Sequence, residues 1–172
     1  MAQAWAVPGL TGTTRFRDAA GRVILTRWIE MMSYREGTLL GEDIEELHAM
    51  RVASRRLRSA MDAFAAAFPE RSFRRKLKLV KSVTDTLGAA RDLDVAIDRL
   101  TGLLGEVAHD ERPGLEGLIA RYRENRAAEA RNIEALFRRL DEDDVDRTFV
   151  RYVEKHTGIT VKRLAPRAPG SE

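Results

Sequence analysis

Residues 48–64, "HAMRVASRRLRSAMDAF", carry one histidine and four arginines separated by small or apolar residues. A solvated helix usually interleaves acidic and basic side chains, because opposite charges three or four residues apart stabilise it. Here the first acid after His48 is Asp62. The positive charge is therefore either exposed to water or balanced by an anion from outside the helix.

A helix turns by about 100° per residue, and at that spacing the segment separates into two faces. The face predicted to meet the core holds apolar residues that recur every three or four positions, namely Met50, Ala53, Leu57, Met61 and Phe64. A neighbouring stripe holds the basic residues His48, Arg51, Arg55 and Arg58. Arg56 points elsewhere.

The next helical segment repeats this arrangement, with Arg74, Lys78 and Lys81 on one face and Leu77, Val80 and Leu87 on another. Residues 48–81 contain ten Lys or Arg and two acids, a net +8, whereas the whole chain has +3. Two antiparallel helices with aligned basic faces would form a groove with a mutually reinforced positive field. A polyanion in it could gain about 1.5–3 kcal/mol for each charge-assisted hydrogen bond.

The elements that must position these faces are helices, since no run shows the alternation typical of strands. Four helices are predicted at residues 14–35, 44–68, 71–100 and 115–140, with residues 36–43 as a connector. The acidic run 141–144 can then cap a short fifth helix that ends near residue 156. The predicted fold class is all-α, a four-helix bundle with a short extra C-terminal helix. The stripe Val145, Phe149 and Tyr152 on that fifth helix needs a partner surface.

The predicted organisation is an N-terminal tail at residues 1–13, a bundle at 14–157 and a C-terminal tail at 158–172. Residues 165–172, "APRAPGSE", are predicted to be disordered from their composition. The absence of cysteine excludes a disulfide framework and a thiolate metal site. No apolar run approaches the ~20 residues of a spanning helix, and the first residues lack the pattern of a secretory signal. We therefore predict a cytoplasmic protein.

Two segments carry a resemblance to a known family: "LHAMRVASRRLRSAMDAF" at 47–64 and "LGAARDLDVAIDRL" at 87–100. Their paired signature, His-x-x-Arg-Val-x-x-Arg-Arg-Leu-Arg and then Leu-Gly-x-x-Arg-Asp-Leu-Asp, resembles the CHAD domain, the conserved histidine α-helical domain. The likeness extends more loosely over residues 14–140. Members of that family are helical bundles that bind inorganic polyphosphate through basic side chains lining a groove or pore. They are regarded as binding or targeting modules and not as catalysts.

The resemblance implies polyphosphate contacts from both basic helices and from the second signature, namely His48, Arg51, Arg55, Arg58, Arg74, Lys78, Lys81 and Arg91. It implies that Asp92 and Asp94 orient arginines or cap structure and do not contact the anion. Arg126 interrupts the apolar stripe of the fourth helix, so we predict that it turns inward to the same groove. The implied partner is inorganic polyphosphate, with phosphate or sulfate ions as mimics, and the implied location is at polyphosphate granules. No cofactor, metal or membrane contact is implied.

Full-length members of the family contain two related halves, each with its own basic helix, whereas this chain shows one copy of the pattern. Identical halves can associate about a twofold axis and recreate the missing surface. We therefore hypothesise a homodimer, with the apolar stripe of the fifth helix as the contact.

A metal enzyme is the sharpest alternative, because Glu45–His48 and Glu106–His109 have the Glu-x-x-His spacing of di-iron bundles. Arg51 and Arg55 share the stripe with His48, however, and would repel a divalent cation. The second pair lies in a segment flanked by glycine and proline, which is a poor frame for rigid ligands. The sequence therefore predicts no metal site.

Nucleic-acid binding and a pure protein–protein scaffold stay open as further alternatives. Proteins that bind single strands interleave aromatic and basic residues so that bases can stack, but only 6% of this chain is aromatic. A scaffold stays open because a chain can retain its fold after losing its ligand. Nucleophilic catalysis has little support, because Ser54 and Ser59 near His48 are most simply small packing residues. We predict no catalytic residue.

Overall fold

The computed structural model describes residues 3–164, and the regular structure within them is helical throughout. The helices in chain order are α1 (Phe16–Ser33), α2 (Arg35–Leu40), α3 (Ile44–Ala63), α4 (Glu70–Leu103), α5 (Arg112–Glu142), α6 (Val145–Thr157) and α7 (Val161–Leu164). A 3₁₀ turn at Ala65–Ala67 follows α3. The predicted all-α class is therefore confirmed, and the two basic helices of the sequence are α3 and α4.

The bundle is arranged so that α3 packs between α1 and α4, while α4 packs in turn on α5. Helix α6 contacts both α1 and α5 and closes the remaining side. The shared core draws on each of these helices, and its fully buried side chains include Trp28, Met50, Leu57, Leu87, Phe137 and Phe149. Burying this apolar surface is the main term that holds the helices together.

Helices α4 and α5 are much longer than α3, with 34 and 31 residues against 20. Arg91 lies beside the first turn of α3, where its Nη2 atom is 3.8 Å from Oε1 of Glu45. The C-terminal part of α4 beyond Asp94, which shares a cavity with Ile44, therefore extends past the start of α3. The last buried residue of α4 is Ala90.

The prediction of a connector at residues 36–43 is wrong for residues 36–40, because these residues belong to α2. The predicted first helix breaks at Tyr34, whose φ of −90° and ψ of 0° lie outside the helical range. The chain then turns into α2, which packs against α3 and buries Thr38. Gly41 ends α2 with φ +68°, a left-handed conformation that glycine adopts without steric cost. Tertiary contact, which a local pattern does not report, stabilises this short helix.

The second predicted helix also ends early, at Ala63 and not at residue 68. Pro69 disfavours a helical residue before it, and Phe68 is extended with φ −127° and ψ 156°. The preceding residues tighten into the 3₁₀ turn. Phe64, predicted to lie in the core, is half-buried and contacts the exposed ring of Phe16 at a centroid distance of 5.3 Å.

The acidic run 141–144 caps α6 less directly than predicted. Helix α5 continues through Glu142, so half of the run is helical. Asp144 precedes α6 with φ +48°, and its side chain makes no cap hydrogen bond. Its carboxylate pairs with Arg147 in the first turn of α6.

The apolar stripe of α6 has its partner surface within the same chain. Phe149 is fully buried and stacks on Trp28 of α1 with ring centroids 4.0 Å apart. The Tyr152 ring stacks on Phe68, and its hydroxyl lies 3.1 Å from Oγ of Ser72 on α4. Partial burial raises the pKa of Tyr152, although the Ser72 hydrogen bond and the charge of Arg75 act in the opposite direction. The expectation that this stripe forms a dimer contact is therefore wrong.

Residues assigned to the tails also meet the core. Trp5 is buried near the N-terminus, and the carbonyl of Pro8 accepts a 2.9 Å hydrogen bond from Nη1 of Arg22. Ile159 and Leu164 are buried in the main apolar cluster. The segment predicted to be disordered, 165–172, lies outside the described residues. Within residues 3–164, no helix is both long and apolar enough to cross a membrane.

The close approach of α1 to the end of α6 depends on Gly21. A Cβ atom added there would lie 2.9 Å from Cβ of Ile159 and nearer still to Oγ1 of Thr157. Thr157 has little freedom to move aside, because its hydroxyl donates to the Val153 carbonyl. We expect Gly21→Ala to lower the free energy of unfolding by about 1–3 kcal/mol through overpacking, measured by urea denaturation followed by circular dichroism.

Gly88→Ala provides the matched control for this prediction. A Cβ atom at Gly88 would lie 3.6 Å from Nε of Arg51, an ordinary van der Waals distance. The substitution should therefore raise the free energy of unfolding by roughly 0.5–1 kcal/mol through helix propensity alone. Equal effects of the two substitutions would contradict the packing argument.

Candidate anion-binding groove

The orientation of α3 follows from its buried face. Met50, Ala53, Leu57 and Met61 are all buried between α1 and α4, as predicted. The N-terminal end is fixed by Asp43, whose carboxylate accepts a 2.8 Å hydrogen bond from the Glu45 amide. On α4, Val80, Val83 and Leu87 are buried in the same way. The basic stripes of both helices therefore lie on the outer side of the bundle.

Four of the nine predicted site residues line one open cavity between α3 and α4, namely Arg58, Arg74, Lys78 and Lys81. We call this cavity the α3–α4 groove, and its other lining residues are Asp62, Leu77, Ser82 and Asp85. Its volume is about 570 Å³. Because the two helices run antiparallel, Arg58 near the end of α3 faces the first turns of α4.

The cations of the α3–α4 groove are only partly neutralised by the chain itself. Arg74 pairs with Glu70 one turn earlier on α4, where both side chains are well exposed. Arg58, Lys78 and Lys81 form no ion pair among the described residues. Lys76, on a different face of α4, is half-buried, and burial together with the neighbouring Arg75 lowers its pKa. The groove lysines are instead exposed and able to meet an anion from solvent.

Two aspartates that the sequence did not place in the groove also line it. Asp62 and Asp85 face the same cavity as the four cations and reduce its local excess charge. The sequence does indicate the position of Asp85. It follows Lys78 by seven residues and Lys81 by four, so it shares their face of the helix. The groove is therefore basic with an acidic component, and not uniformly positive.

A second group of predicted residues lies toward the other end of the α3–α4 contact. Nη2 of Arg51 is 3.8 Å from Oδ1 of Asp92, and Arg91 faces Glu45 at the same distance. Asp92 thus lies where it can orient an arginine, as the resemblance implies. Nδ1 of His48 and Nε of Arg51 are buried without a hydrogen-bond partner among the described residues. Such an unpaired polar group costs about 1–3 kcal/mol.

Arg55 and Arg126 do not join the α3–α4 groove. Arg55 lines a separate pocket on the α1 side of α3. Nε of Arg126 donates a 2.6 Å hydrogen bond to Asp94 of α4, whose side chain is only 8% exposed. This bond holds Arg126 at the α4–α5 contact, where it lines a cavity with Leu40 and Ile44. The prediction that Arg126 turns into the groove is therefore wrong.

The residues considered as metal ligands do not come together. Glu106 and His109 lie in the turn between α4 and α5, outside any helix. Glu45 faces Arg91, which is a competing cation. Within residues 3–164, no group of three or more histidine or acidic side chains could hold a metal ion.

Comparison with known proteins identifies the family. A family model described as the CHAD domain matches residues 23–169. This range contains all of α3, α4, α5 and α6, including both signature segments. Searches of curated proteins and of solved structures found no match. Since the family model covers most of the 172 residues, the chain belongs to the CHAD domain family.

Proposed function

We propose that this protein is a non-catalytic module that binds inorganic polyphosphate in the α3–α4 groove. The observation that carries the proposal is the convergence of Arg58, Lys78 and Lys81 on one cavity without an ion pair among the described residues. The CHAD family is associated with polyphosphate binding, which supports the same ligand. Repeating, closely spaced charges on a flexible chain suit a groove that presents several cations in a row.

The side chains of the groove fit phosphate better than they fit a nucleic-acid base. The Arg58 guanidinium presents paired donors that match two phosphate oxygens, and the lysines add point charges with longer reach. The one large apolar residue in the lining is Leu77, and no aromatic ring is among the lining residues in the described part of the chain. Bases would therefore find no stacking surface here.

The outer residues His48 and Arg51 of α3 and Arg91 of α4 extend the proposed path toward the start of α3. The ion pairs of Arg51 with Asp92 and of Arg91 with Glu45 are long, and both carboxylates are largely exposed. Exposed pairs of this kind contribute about 0–1 kcal/mol. A phosphate group arriving from solvent can displace such carboxylates at little cost, so we include these three residues as secondary contacts.

The lining of the groove also supports a non-catalytic role. Ser82 is its one hydroxyl-bearing lining residue, and its Oγ donates to the Leu79 carbonyl at 2.8 Å. No histidine is among the lining residues in the described part of the chain, and neither groove aspartate forms a hydrogen bond with Ser82 among the described residues. The charged groups can bind a polyanion but do not form a nucleophile–base pair.

Neutralising two groove cations tests the proposal most directly. We expect Arg58→Gln/Lys78→Gln to weaken binding of a polyphosphate of defined length by about a hundredfold, because two charge-assisted hydrogen bonds are lost. Titration calorimetry at several salt concentrations gives the affinities. The slope of log affinity against log salt should also fall by about two, by analogy with counterion release from DNA.

Arg121→Gln/Arg131→Gln is the control, since it removes the same charge from exposed positions on α5 outside the groove. Its affinity should stay within about twofold of the unmodified protein, because net charge alone contributes little at moderate salt. Equal losses in both double variants would mean that polyphosphate binds through overall charge and not through this groove.

Competition with nucleic acid separates the proposal from its main alternative. A single-stranded DNA oligonucleotide with the same number of phosphates as the polyphosphate should bind about tenfold more weakly, because the groove has no ring for its bases. Displacement of a fluorescent polyphosphate measures the preference. Stronger binding of the DNA would reverse the choice of ligand.

We further propose that two copies of this chain associate about a twofold axis. Because α1 covers the apolar stripe of α6, the contact must use a different face. Sedimentation at micromolar concentration should give the mass of a dimer, and Phe149→Leu should leave that mass unchanged. A monomer at these concentrations would remove the dimer from the proposal.

A further inference from the structure

A cavity separate from the α3–α4 groove lies where α2 and the start of α3 meet α4 and α5. We call it the α2–α5 cavity. Its volume is about 380 Å³, within the range of roughly 300–1,000 Å³ that small-molecule sites occupy. It shares no lining residue with the groove among the described residues.

The walls of the α2–α5 cavity are mainly aliphatic. The aliphatic side chains that line it are Leu39, Leu40, Ile44, Ala130 and Ile133. Leu40 is 65% exposed and Ile44 is 50% exposed, so apolar surface at the cavity is left in contact with water. A ligand with an aliphatic body would cover this surface and gain the free energy of its burial.

Two lining residues have a buried oxygen atom without a hydrogen-bond partner. Oδ2 of Asp94 and Oγ1 of Thr38 are closed to solvent and form no hydrogen bond among the described residues. The side chain of Asp94 is 8% exposed, and Thr38 is 7% exposed. Most buried polar atoms in folded proteins are paired. Because both residues line the cavity, a small rotation of each side chain would let a donor inside it supply the missing bond.

Arg126 adds hydrogen-bond donors to the same cavity. Its Nε donates to Oδ1 of Asp94 at 2.6 Å, whereas its two Nη groups form no hydrogen bond or ion pair among the described residues. The charges of Asp94 and Arg126 cancel each other. Glu134, the other charged lining residue, is exposed, so solvent screens its charge. The cavity therefore offers unused donors and unused acceptors with little net charge.

A structural role for the Asp94–Arg126 pair accounts for only part of this arrangement. The pair joins α4 to α5 and uses one oxygen of the carboxylate and the Nε atom of the guanidinium. It leaves the other oxygen and both Nη groups unused. It also does not explain why Thr38, on α2, brings a second unpaired oxygen to the same cavity. A ligand that carries both an ammonium and a carboxylate group would use all of these atoms.

We infer that the α2–α5 cavity binds a free α-amino acid with an aliphatic side chain. The ammonium group donates to Oδ2 of Asp94 and to Oγ1 of Thr38, and the carboxylate accepts from the Nη groups of Arg126 as a bidentate pair. The aliphatic side chain packs against Leu40 and Ile44. This inference does not depend on polyphosphate binding in the groove.

The test follows the backbone amides of Gly41 and Ala130, which line the cavity, by NMR during titration of the full chain. The probes are L-leucine, isopentylamine, which lacks the carboxylate, isocaproate, which lacks the ammonium, and L-serine, which lacks the aliphatic body. We expect leucine to shift both amides and each of the other probes to bind at least about tenfold more weakly. The inference fails if leucine at millimolar concentration shifts neither amide, or if any other probe binds as tightly.

Thr38→Val tests the ammonium contact and preserves the fold. Valine is close to threonine in shape and replaces an unpaired buried hydroxyl by a methyl group, so the variant should be at least as stable. We expect it to weaken leucine binding by about tenfold through loss of one hydrogen bond to the ammonium.

Thr26→Val is the matched control for this substitution. Oγ1 of Thr26 on α1 is also buried and unpaired, but Thr26 does not line the cavity. The control should bind leucine as the unmodified protein does. Equal leucine affinities in the two valine variants would overturn the inference.

Arg126→Lys tests the carboxylate contact. Lysine keeps a positive charge beside Asp94 but lacks the paired donors of the guanidinium. Leucine should therefore bind about tenfold more weakly, whereas isopentylamine should bind as before. An unchanged leucine affinity in the folded variant would contradict the inference, and if the variant does not fold, the two valine variants decide the outcome.

Lys78→Gln separates this site from the groove. Lys78 lines the groove and not the α2–α5 cavity, so its loss should weaken polyphosphate binding and leave leucine binding unchanged. A parallel loss of leucine binding would place the amino acid in the groove and overturn the inference.

Discussion

The packing of α3 between α1 and α4 is the constraint on which the charged surfaces depend. Met50, Ala53, Leu57 and Met61 are almost completely removed from solvent, so α3 cannot rotate about its axis without exposing them. Burial of each larger side chain, Met50, Leu57 and Met61, stabilises the fold by about 1.5–3 kcal/mol. With the rotation fixed, the arginines must lie outside the core. Arg58 lines the groove on the α4 side, whereas Arg55 and Arg56 line a separate pocket on the α1 side.

Carboxylates of the same chain decide which arginines stay available for a ligand. Glu30 holds Arg27 and Arg56, Asp94 holds Arg126, and Glu70 holds Arg74. The buried acids, Glu30 and Asp94, fix their arginines in place, whereas Glu70 is exposed and its pair is weak. Arg58 and the groove lysines form no ion pair among the described residues and face solvent. The protein thus tolerates some mutual repulsion along α3 and α4, which a bound polyanion would relieve.

Local periodicity was sufficient to predict the long helices and the face that each presents to the core. It placed Leu57 and Val80 inside and the basic stripes outside, because the helical repeat alone determines which residues share a face. It failed where a distant contact decides the outcome. The short helix α2 forms because it packs on α3, and the stripe of α6 is covered by Trp28, more than a hundred residues earlier. Arg126 interrupts an apolar stripe, and its partner Asp94 on α4 could not be identified from spacing within α5.

The unequal lengths of the helices have a consequence for motion. Beyond the first turn of α3, the end of α4 and the start of α5 form a two-helix arm. In the first half of α5, only Ile119 is buried. A pair of helices without a third to cover it has little apolar burial to resist opening. The arm should therefore exchange its amide hydrogens through local fraying that leaves the bundle intact. The α3–α4 groove lies beside the first turns of α4, at the other end of that helix, so such fraying should leave its lining residues in place.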